Sequence, residues 1–331
     1  FLNHRIRKIA FSGTVSTVAG DGTAGYMNGG ALTAQFNYPR GICRDKAGSI
    51  YIGDSWNHRI RKITPTGTVS SYAGGGTAFG VSSVGGYVNA NDTAARFYTP
   101  AGLGIDENGN VYVADAYNHR IRKIDTARVV TTVAGNGATG PGNGGFLNGN
   151  TAVALLNTPT EVFIDTTAKK IYIGDTFNNR VRKMDILSGY VNTFAGSGAT
   201  GFTNAVDTLS SFNYPRGVVV DSSGTKVYAA DYNNNAIRLI APQTIGINEN
   251  DTEADVTIFP NPTNGILRIT KDCELQITNV EIYNLMREKI YSLNHPFTNS
   301  TIDISSFPKG IYFLKITDAK ENEQIQKVIK Y

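Results

Sequence analysis

Apolar and polar residues alternate along the chain in short runs, and each run ends at glycine, asparagine or aspartate. Alternation with a period of two predicts β-strands joined by tight turns. Some runs, such as residues 218–220, are apolar throughout, which predicts strands that are buried on both faces. Long stretches of helical periodicity do not occur in the sequence. The pattern therefore predicts an all-β protein.

An arginine-rich motif recurs along the first 241 residues and groups the strands into units. Its copies begin at Gly53, Ala114 and Gly174, with a decayed copy from Asp231 and a truncated copy at Asn3. The copies are spaced 54, 61, 60 and 56 residues apart. Each complete unit holds four short strand patterns, which predicts a propeller blade. Three units are complete, a final unit lacks its fourth strand, and an opening half-unit has only the third and fourth.

The recurring letters Asn-His-Arg-Ile resemble the NHL repeat over residues 1–241. This resemblance implies an NHL β-propeller, a fold that typically closes with six blades. The units counted here fall short of that number. We therefore expect an incomplete portion of a six-bladed ring that lacks part of its N-terminal side. A small ring closed by the two terminal half-units is the alternative.

The last part of the chain has a different pattern. Residues 242–255 are polar and acidic and match no repeat, so we expect a linker. Alternation resumes over residues 256–331, which predicts a small Ig-like β-sandwich. Its motifs resemble the type A sorting domain of the type IX secretion system of Bacteroidota. The residues that carry this resemblance are Pro260, Asn261, Pro262, Gly265, Gly310, Tyr312, Lys327 and Lys330.

The sorting-domain resemblance implies export across the outer membrane, with the type IX machinery as a partner and the tail usually clipped afterwards. We therefore expect an extracellular or outer-surface location. No apolar run is long enough for a membrane span, which takes about 18 residues. The chain begins at Phe1 without a signal peptide. We interpret this start as the result of a removed targeting segment, or as the interior of a longer chain.

Positive charge is concentrated in the repeats. Residues 1–241 hold 22 Lys and Arg against 15 Asp and Glu, whereas residues 242–331 hold 9 against 12. Thirteen of the 22 bases belong to the repeated third strand, so the surplus follows from a structural repeat. Some NHL propellers bind RNA through a basic face. We disfavour nucleic acid here, because the basic run has no interleaved aromatics and the tail implies export.

Three aspartate–arginine pairs flank the same predicted corner between strands two and three. They are Asp54 with Arg59, Asp115 with Arg120, and Asp175 with Arg180. We expect each pair to form a salt bridge or hydrogen bond that fixes the corner. In the last unit Ala236 replaces the arginine, so Asp231 is expected to find another partner or to face water.

Histidine recurs at one position of the repeat, as His4, His58 and His119, and Asn179 takes that place in the next unit. The NHL-like amidating lyase binds metal through histidines in its central cavity. Here the position is a predicted hairpin corner, so we expect the histidines to be turn elements that are spread around the ring, with no catalytic metal. Aspartates that precede the first turn are expected to accept backbone hydrogen bonds.

Calcium is a weaker hypothesis for the glycine-rich loops near Asp21, Asp92 and Asp207, because calcium needs six or more oxygen ligands and the spacing shows no dense aspartate pattern. These loops are long insertions between units, and long loops are often functional. The alternative is that they are plugs that cover the blade edges. Four aromatic residues of the insertions are candidate exposed ligand contacts: Tyr26, Phe79, Tyr87 and Phe146.

The sequence thus favours a secreted or cell-surface binding module for a protein or glycan, with no catalytic residues and no required cofactor. Two alternatives stay open. One is a propeller enzyme, a metal-dependent lyase or lactone hydrolase with its metal in the central channel. The other is a structural subunit of an extracellular assembly. An enzyme would need polar groups that break the repeat and converge on the channel.

Overall fold

The computed structural model describes residues 2–75, 85–166, 169–240, 256–271, 277–285, 288–294, 299–319 and 323–331. The chain divides into two compact units, Phe1–Pro242 and Gln243–Tyr331. The linker expected over residues 242–255 lies outside the described residues. Strands dominate both units, and the helices of the described ranges are 3₁₀ turns of three residues. The all-β prediction is confirmed.

The first unit consists of antiparallel sheets that follow one another along the chain. An opening half-blade contains β1 (Ile6–Ile9) and β2 (Val15–Ala19). Blade 1 contains β4 (Pro39–Arg44), β5 (Ile50–Asp54), β6 (Arg59–Ile63) and β7 (Thr68–Ala73), with β3 (Gly29–Gly30) added beside β7. Blade 2 contains β8 (Pro100–Ile105), β9 (Val111–Asp115), β10 (Arg120–Ile124) and β11 (Val130–Ala134). Blade 3 contains β12 (Pro159–Asp165), β13 (Lys170–Asp175), β14 (Arg180–Asp185) and β15 (Val191–Ala195). Blade 4 contains β16 (Pro215–Val220), β17 (Val227–Asp231) and β18 (Ala236–Ile240).

Short 3₁₀ turns occur at two kinds of place. Two lie in the insertions between blades, at Asp92–Ala94 and Asp207–Leu209. Four join the second strand of a blade to the third and are called the corner helices: Ser55–Asn57, Ala116–Asn118, Thr176–Asn178 and Tyr232–Asn234. Each corner helix ends in a left-handed residue, which is histidine or asparagine, as at His58 (φ 55°) and Asn179 (φ 50°). These residue types tolerate that conformation better than most others.

The first strands of the blades are the neighbours of one another. β4 packs beside β8, β8 beside β12, and β12 beside β16. Glycine allows this close approach, because a Cβ added to Gly41 would lie 2.1 Å from the carbonyl oxygen of Ala101. Glycine also allows close packing of β13 against β16, because a Cβ added to Gly174 would lie 2.3 Å from the carbonyl oxygen of Arg216. Successive blades are therefore packed with their innermost backbones in contact.

The apolar core lies between successive blades. One cluster joins Ile60 of blade 1 to Val113 of blade 2, and both side chains are inaccessible to solvent. Another joins Ala114 of blade 2 to Ile171 of blade 3. Blades 2 and 3 are covered on both faces, and their strands carry continuous apolar runs. The prediction was wrong for residues 218–220, because Val219 of blade 4 is 48% exposed.

The second unit contains two antiparallel sheets. One holds β19 (Val256–Phe259), β20 (Ile266–Lys271) and β23 (Asn299–Asp303). The other holds β21 (Ile277–Tyr283), β22 (Lys289–Leu293), β24 (Gly310–Asp318) and β25 (Glu323–Lys330). Leu267 and Ile302 of the first sheet share one buried cluster with Val280 and Leu314 of the second. The two sheets thus pack face to face, which agrees with the predicted sandwich.

Candidate ligand-binding face

A buried ion pair recurs in every blade, but its arginine is not the predicted one. The aspartate that precedes each corner helix binds the second arginine of the third strand. The pairs are Asp54–Arg61, Asp115–Arg122, Asp175–Arg182 and Asp231–Arg238, each with 2.8 Å between nitrogen and oxygen. The predicted partners, Arg59, Arg120 and Arg180, are the cross-strand neighbours of these aspartates. In the last unit, where Ala236 replaces the first arginine, Asp231 has found another partner, Arg238, and is buried.

Both arginines of the third strand start near the aspartate. The second and third strands pair without a register shift, and residues two apart on a strand share a face. A register shift between Ile60 and Arg61 belongs to the pairing with the fourth strand, where Tyr72 is the extra residue. Arg238 forms the same ion pair in blade 4, whose described sheet has three strands. The ion pair therefore does not depend on the register shift.

Each buried arginine holds the preceding insertion in place. In blade 1, Arg61 donates from Nη1 to the carbonyl oxygen of Gln35 (2.9 Å) and from Nη2 to that of Met27 (2.8 Å) and to Asn28 Oδ1 (2.8 Å). The same set of acceptors recurs around Arg122. Three hydrogen bonds thus tie the loop to the arginine, and a fourth ties the arginine to the aspartate of its own blade. The insertions are anchored parts of the fold.

The predicted ligand aromatics lie against the arginines. Rings of the insertions cover the first arginine of the third strand: the guanidinium carbon lies 4.1 Å from the ring centre for Arg59 over Tyr26, 4.0 Å for Arg120 over Tyr87 and 3.7 Å for Arg180 over Phe146. Cation–π contacts of this length are favourable. The arginines predicted to pair with aspartate therefore stack on the aromatics predicted to bind ligand.

These contacts change the expected exposure of the loop aromatics. Tyr26 and Tyr87 are half-buried, and their hydroxyl groups hydrogen-bond to Ser71 (2.7 Å) and Thr132 (2.9 Å). Phe146 stays exposed. Phe79 lies outside the described residues. The sequence analysis missed the equivalent ring of the last unit, Phe202, which lies 4.5 Å from Arg238.

The histidine position links each blade to the next. His58 Nδ1 accepts a hydrogen bond from the backbone N–H of Thr99 (3.0 Å), and His119 Nδ1 accepts one from Thr158 (3.0 Å). Where asparagine replaces histidine, Asn179 Oδ1 accepts a hydrogen bond from the backbone N–H of Tyr214, also at 3.0 Å. Burial, together with the charge of Arg59, lowers the pKa of His58 to about 4, so the ring is neutral and able to accept. The histidines act as turn and contact residues.

Aspartates at the far ends of the first strands cap tight turns, as expected. Asp45 Oδ1 accepts from the backbone N–H of Ser49 (2.7 Å), and Asp106 Oδ1 accepts from Asn110 (2.8 Å). A cavity of about 400 Å³ opens beside these two turns. Since the carboxylates that border it are engaged with their own turns, they are structural groups.

The opposite end of the blades, where the first strands begin, carries a set of aromatic residues that the sequence analysis did not single out. Each corner helix contributes one: Trp56, Tyr117, Phe177 and Tyr232. Trp56, Phe177 and Tyr232 are 51%, 45% and 53% exposed. The first three copies of the motif have an aromatic at the same place, which was the available signal; Tyr232 stands one residue earlier, at the place of Ser55. We call this end of the blades the corner face.

The corner-face rings are held by partners from the segments that lead into the first strands. Tyr38 stacks on Trp56 with ring centres 4.0 Å apart and planes 16° apart. Phe177 meets Tyr214 edge to face at 5.0 Å. The helices themselves are bonded to the same segments, since the backbone N–H of Trp56 donates to the carbonyl oxygen of Asn37 (3.1 Å). The exposed rings are therefore fixed in orientation.

Two arginines lie near the starts of the first strands. Arg40 and Arg216 each follow the proline that opens a first strand, and both are exposed. The Arg216 guanidinium lies 3.6 Å from the ring centre of Tyr232. Desolvation and the positive charge of Arg216 lower the pKa of Arg40. Positive charge is thus concentrated on the corner face.

One carboxyl group breaks the repeat in the first strands. The other three blades have glycine at this place in the first strand, and blade 3 has Glu161. Its Oε1 accepts a hydrogen bond from the backbone N–H of Val162 (3.1 Å). A Cβ added to Gly102 would lie 2.2 Å from that oxygen, so Gly102 provides the space that Glu161 occupies. Burial raises the pKa of Glu161 to about 7.

The aspartates considered for calcium lie in separate surroundings. Asp21 accepts hydrogen bonds from the backbone of Thr23 (2.7 Å) and from Gln35 Nε2 (3.0 Å), whereas Asp92 pairs with Arg128. Asp207 begins a 3₁₀ turn. Within the residues that the structure describes, no group of three or more His, Cys, Asp or Glu side chains is arranged to hold a metal ion. The calcium hypothesis stays a prediction.

In the second unit, Asn261 fastens the last strand. Its Oδ1 accepts from the backbone N–H of Ile329 (3.0 Å), and its Nδ2 donates to the carbonyl oxygen of Lys327 (2.6 Å). The flanking Phe259–Pro260 and Asn261–Pro262 peptide bonds are cis. Two of the sorting-motif residues on the surface are Pro260 and Pro262.

Of the other sorting-motif residues, some are buried and some are accessible to solvent. Lys330 is 8% exposed, and its Nζ donates to the carbonyl oxygens of Ser305 (2.7 Å) and Phe307. Tyr312 is buried, and its hydroxyl donates to the carbonyl oxygen of Pro308 (2.6 Å). Gly265 has a φ of 146°, and an added Cβ would lie 2.3 Å from Ser305 Oγ. Gly310 has open space where a Cβ would stand, and Lys327 is exposed, so these two are accessible.

Comparisons with known proteins agree with both parts of the chain. A profile described as NHL repeat matches residues 36–63, 97–124 and 212–238, and one described as secretion system C-terminal sorting domain matches residues 257–331. Protein SUPPRESSOR OF QUENCHING 1, chloroplastic, from Arabidopsis thaliana is 31% identical over 170 residues, which are 50% of this chain and 16% of that protein. NHL repeat-containing protein 2 from Homo sapiens is 28% identical over 272 residues, 73% of this chain and 37% of that protein. The chain thus spans less than half the length of these relatives.

A solved structure shares the fold. The crystal structure of an auxiliary nutrient binding protein from Bacteroides ovatus ATCC 8483 superposes with a TM-score of 0.51 at 18% identity, over 72% of this chain and 58% of that one. No helix among the described residues is long and apolar enough to cross a membrane. The chain therefore consists of NHL repeats that form propeller blades, and it ends in a C-terminal sorting domain of the type IX secretion system.

Proposed function

We propose that this chain is an exported binding module that holds a glycan on the corner face of its propeller. The sorting domain implies export to the surface or the extracellular space. The observation that carries the binding proposal is the set of solvent-exposed rings on the corner helices, at Trp56, Phe177 and Tyr232. Exposed aromatic clusters on soluble proteins mark interaction sites.

The orientation of the rings supports a sugar ligand. Trp56 is stacked on Tyr38, which covers one face of the indole, while half of the side chain stays open to solvent. A fixed, flat aromatic surface offers the apolar face of a sugar ring a large contact at little cost in side-chain entropy. A protein ligand is the other outcome that the experiment below allows, since Trp, Tyr and Arg are also enriched at protein interfaces.

The alternative of a metal-dependent lyase has less support. His58 and His119 use Nδ1 to accept backbone hydrogen bonds from the next blade, and zinc catalysis needs about three converging protein ligands. The nutrient-binding description of the Bacteroides ovatus protein belongs to that protein, and the likeness concerns the fold. The exposed rings of the corner helices are therefore the basis of the proposal.

The test is binding of the full chain to an array of neutral and acidic polysaccharides, followed by titration calorimetry with the best oligosaccharide. The variant W56A/Y232A removes two exposed rings. We expect its affinity to fall at least about tenfold, as for the loss of 1.4 kcal/mol. The matched control is L187A, which removes a side chain that is 79% exposed on a turn of blade 3.

Unchanged affinity in W56A/Y232A would contradict the proposed face. Binding to no polysaccharide, by a chain whose circular dichroism is that of the folded protein, would contradict the glycan class. A search for exported protein ligands would then be the appropriate continuation.

A further inference from the structure

Three corner-face rings stand at the same place in consecutive blades. Trp56, Tyr117 and Phe177 are each the second residue of their corner helix. In each case the backbone N–H of the ring residue donates to a carbonyl oxygen of the segment that leads into the same blade, at 3.1 Å for Trp56, 3.0 Å for Tyr117 and 3.1 Å for Phe177. The three rings are thus attached to their blades in the same way.

The packing of the blades sets the distance between these rings. β8 lies between β4 and β12, so blade 2 separates blade 1 from blade 3. The first corner helix is also bonded to blade 2, because Ser55 Oγ donates to the carbonyl oxygen of Pro100 (2.6 Å). Sheets that pack face to face are about 10 Å apart, so Trp56 and Phe177, two blades apart, are separated by a distance on the order of 20 Å.

The two end rings of this row have one side against the protein and another toward solvent. Tyr38 lies parallel to Trp56 at 4.0 Å, and Tyr214 meets Phe177 edge to face at 5.0 Å. Trp56 is nevertheless 51% exposed and Phe177 45% exposed. Tyr117, between them, is half-buried. The row therefore offers two prominent ring surfaces, one at each end.

The structure holds both end rings in place without a ligand. The backbone N–H of Tyr38 donates to His4 Nδ1 (3.3 Å), and that of Tyr214 donates to Asn179 Oδ1 (3.0 Å), so both supporting tyrosines are bonded to the preceding blade or half-blade. A site that is ordered in advance loses less entropy on binding. Contact with a second ring therefore adds to the affinity with little further ordering of the protein.

We propose that the corner face binds a stretch of a polysaccharide chain that lies across blades 1 to 3 and contacts Trp56 and Phe177 at the same time. This inference rests on the proposed function. The separation of the two rings is wider than a monosaccharide or a disaccharide, so a small sugar reaches only one of them. A chain of several sugar units reaches both, and its second contact is intramolecular, which raises the affinity. The site therefore selects polymers over small sugars.

The experiment uses Trp56, the single tryptophan of the chain, as a fluorescent probe at one end of the row. The full chain is titrated with hexasaccharides and disaccharides of the cello, laminari and malto series and of the polysaccharide that binds best in the array. We expect the hexasaccharide of the binding series to change the Trp56 emission with at least about tenfold higher affinity than its disaccharide.

The decisive variant is Phe177→Leu, which keeps an apolar side chain but removes the ring at the far end of the row. It should lower the affinity for the hexasaccharide, measured at Trp56, at least about tenfold and leave the affinity for the disaccharide unchanged. Leu187→Ala, on an exposed turn of the same blade, is the matched control and should bind like the wild type. Circular dichroism checks the fold of each variant, and Phe177→Met replaces Phe177→Leu if the latter is unfolded.

The outcomes separate this inference from the proposed function. If W56A/Y232A loses binding while Phe177→Leu keeps the wild-type affinity for the hexasaccharide, the spanning ligand is wrong and the corner face stands. Equal affinities of the wild type for hexasaccharide and disaccharide would also overturn the spanning ligand, as would equal losses for both in Phe177→Leu. Binding of no hexasaccharide by the folded chain would overturn the proposed function together with this inference.

Discussion

The Nδ1 atom of His119 accepts a hydrogen bond from the backbone N–H of Thr158 across the boundary between blades 2 and 3, at 3.0 Å. His119 is completely buried and has a φ of 56°. The position therefore requires two properties, tolerance of the left-handed conformation and an acceptor atom of the right reach. Asparagine meets both, as Asn179 does for Tyr214.

We expect His119→Asn to change stability little and His119→Ala to lower the free energy of unfolding by about 1–3 kcal/mol, the cost of leaving the Thr158 N–H buried without an acceptor. Urea unfolding followed by fluorescence measures both. A loss in His119→Asn as large as in His119→Ala would show that the imidazole itself is needed.

Breaking the buried ion pair should lower the free energy of unfolding more than His119→Ala does. Arg122→Met leaves Asp115 buried without its charged partner, and breaking such a pair costs about 3–5 kcal/mol. The matched control is Lys123→Met, on the next residue of the same strand, where the side chain is only half-buried. We expect the control to stay within about 1 kcal/mol of the wild type. Urea midpoints of the two variants that coincide would contradict the structural role of Arg122.

Glu161 makes stability depend on pH. Burial raises its pKa from 4.5 to about 7, so the folded chain keeps this proton to higher pH than the unfolded chain does. The stabilising contribution of the neutral carboxyl group is complete below about pH 4.5 and is lost as the pH rises to about 7. Glu161→Gln cannot ionise, so its stability relative to the wild type should increase over that interval and stay constant above it.

Thermal unfolding between pH 4 and pH 8.5 measures this difference. Glu107→Gln, at an exposed glutamate of a turn, is the control and should parallel the wild type. A constant difference between Glu161→Gln and the wild type across the whole range would mean that Glu161 titrates normally.

The sorting tail should be required for export and dispensable for the propeller. In a host with a type IX system, a chain that lacks residues 256–331 should fold and accumulate in the periplasm, because the propeller blades have cores of their own. Within the tail, Lys327→Ala should impair export without loss of stability, whereas Lys330→Ala should lower stability because its ammonium group is bonded to two carbonyl oxygens. Cell fractionation measures export, and thermal unfolding measures stability, so the two effects can be told apart. Normal secretion of the truncated chain would contradict the sorting role.

Much of the fold follows from local patterns. The spacing of the Asp54, Asp115 and Asp175 motifs predicts the blades, and the observed β5 (Ile50–Asp54) and β6 (Arg59–Ile63) lie where the alternation places them. The sequence predicted the candidate ligand-binding residues less well. Tyr26 and Tyr87 were expected to be exposed, yet each is covered by the arginine of its own blade, because a loop aromatic lowers its free energy by packing on the nearest cation.

The sequence by itself determined the repeat, the all-β class and the sorting tail, because these depend on periodicity and on motifs of adjacent residues. Only the tertiary structure decided that Asp54 pairs with Arg61, since Arg59 and Arg61 share one strand face and the sequence does not distinguish them. It also decided that His119 bonds the backbone of Thr158 in the next blade, 39 residues further along the chain. Packing of successive blades brings such positions together, and no local pattern records that proximity.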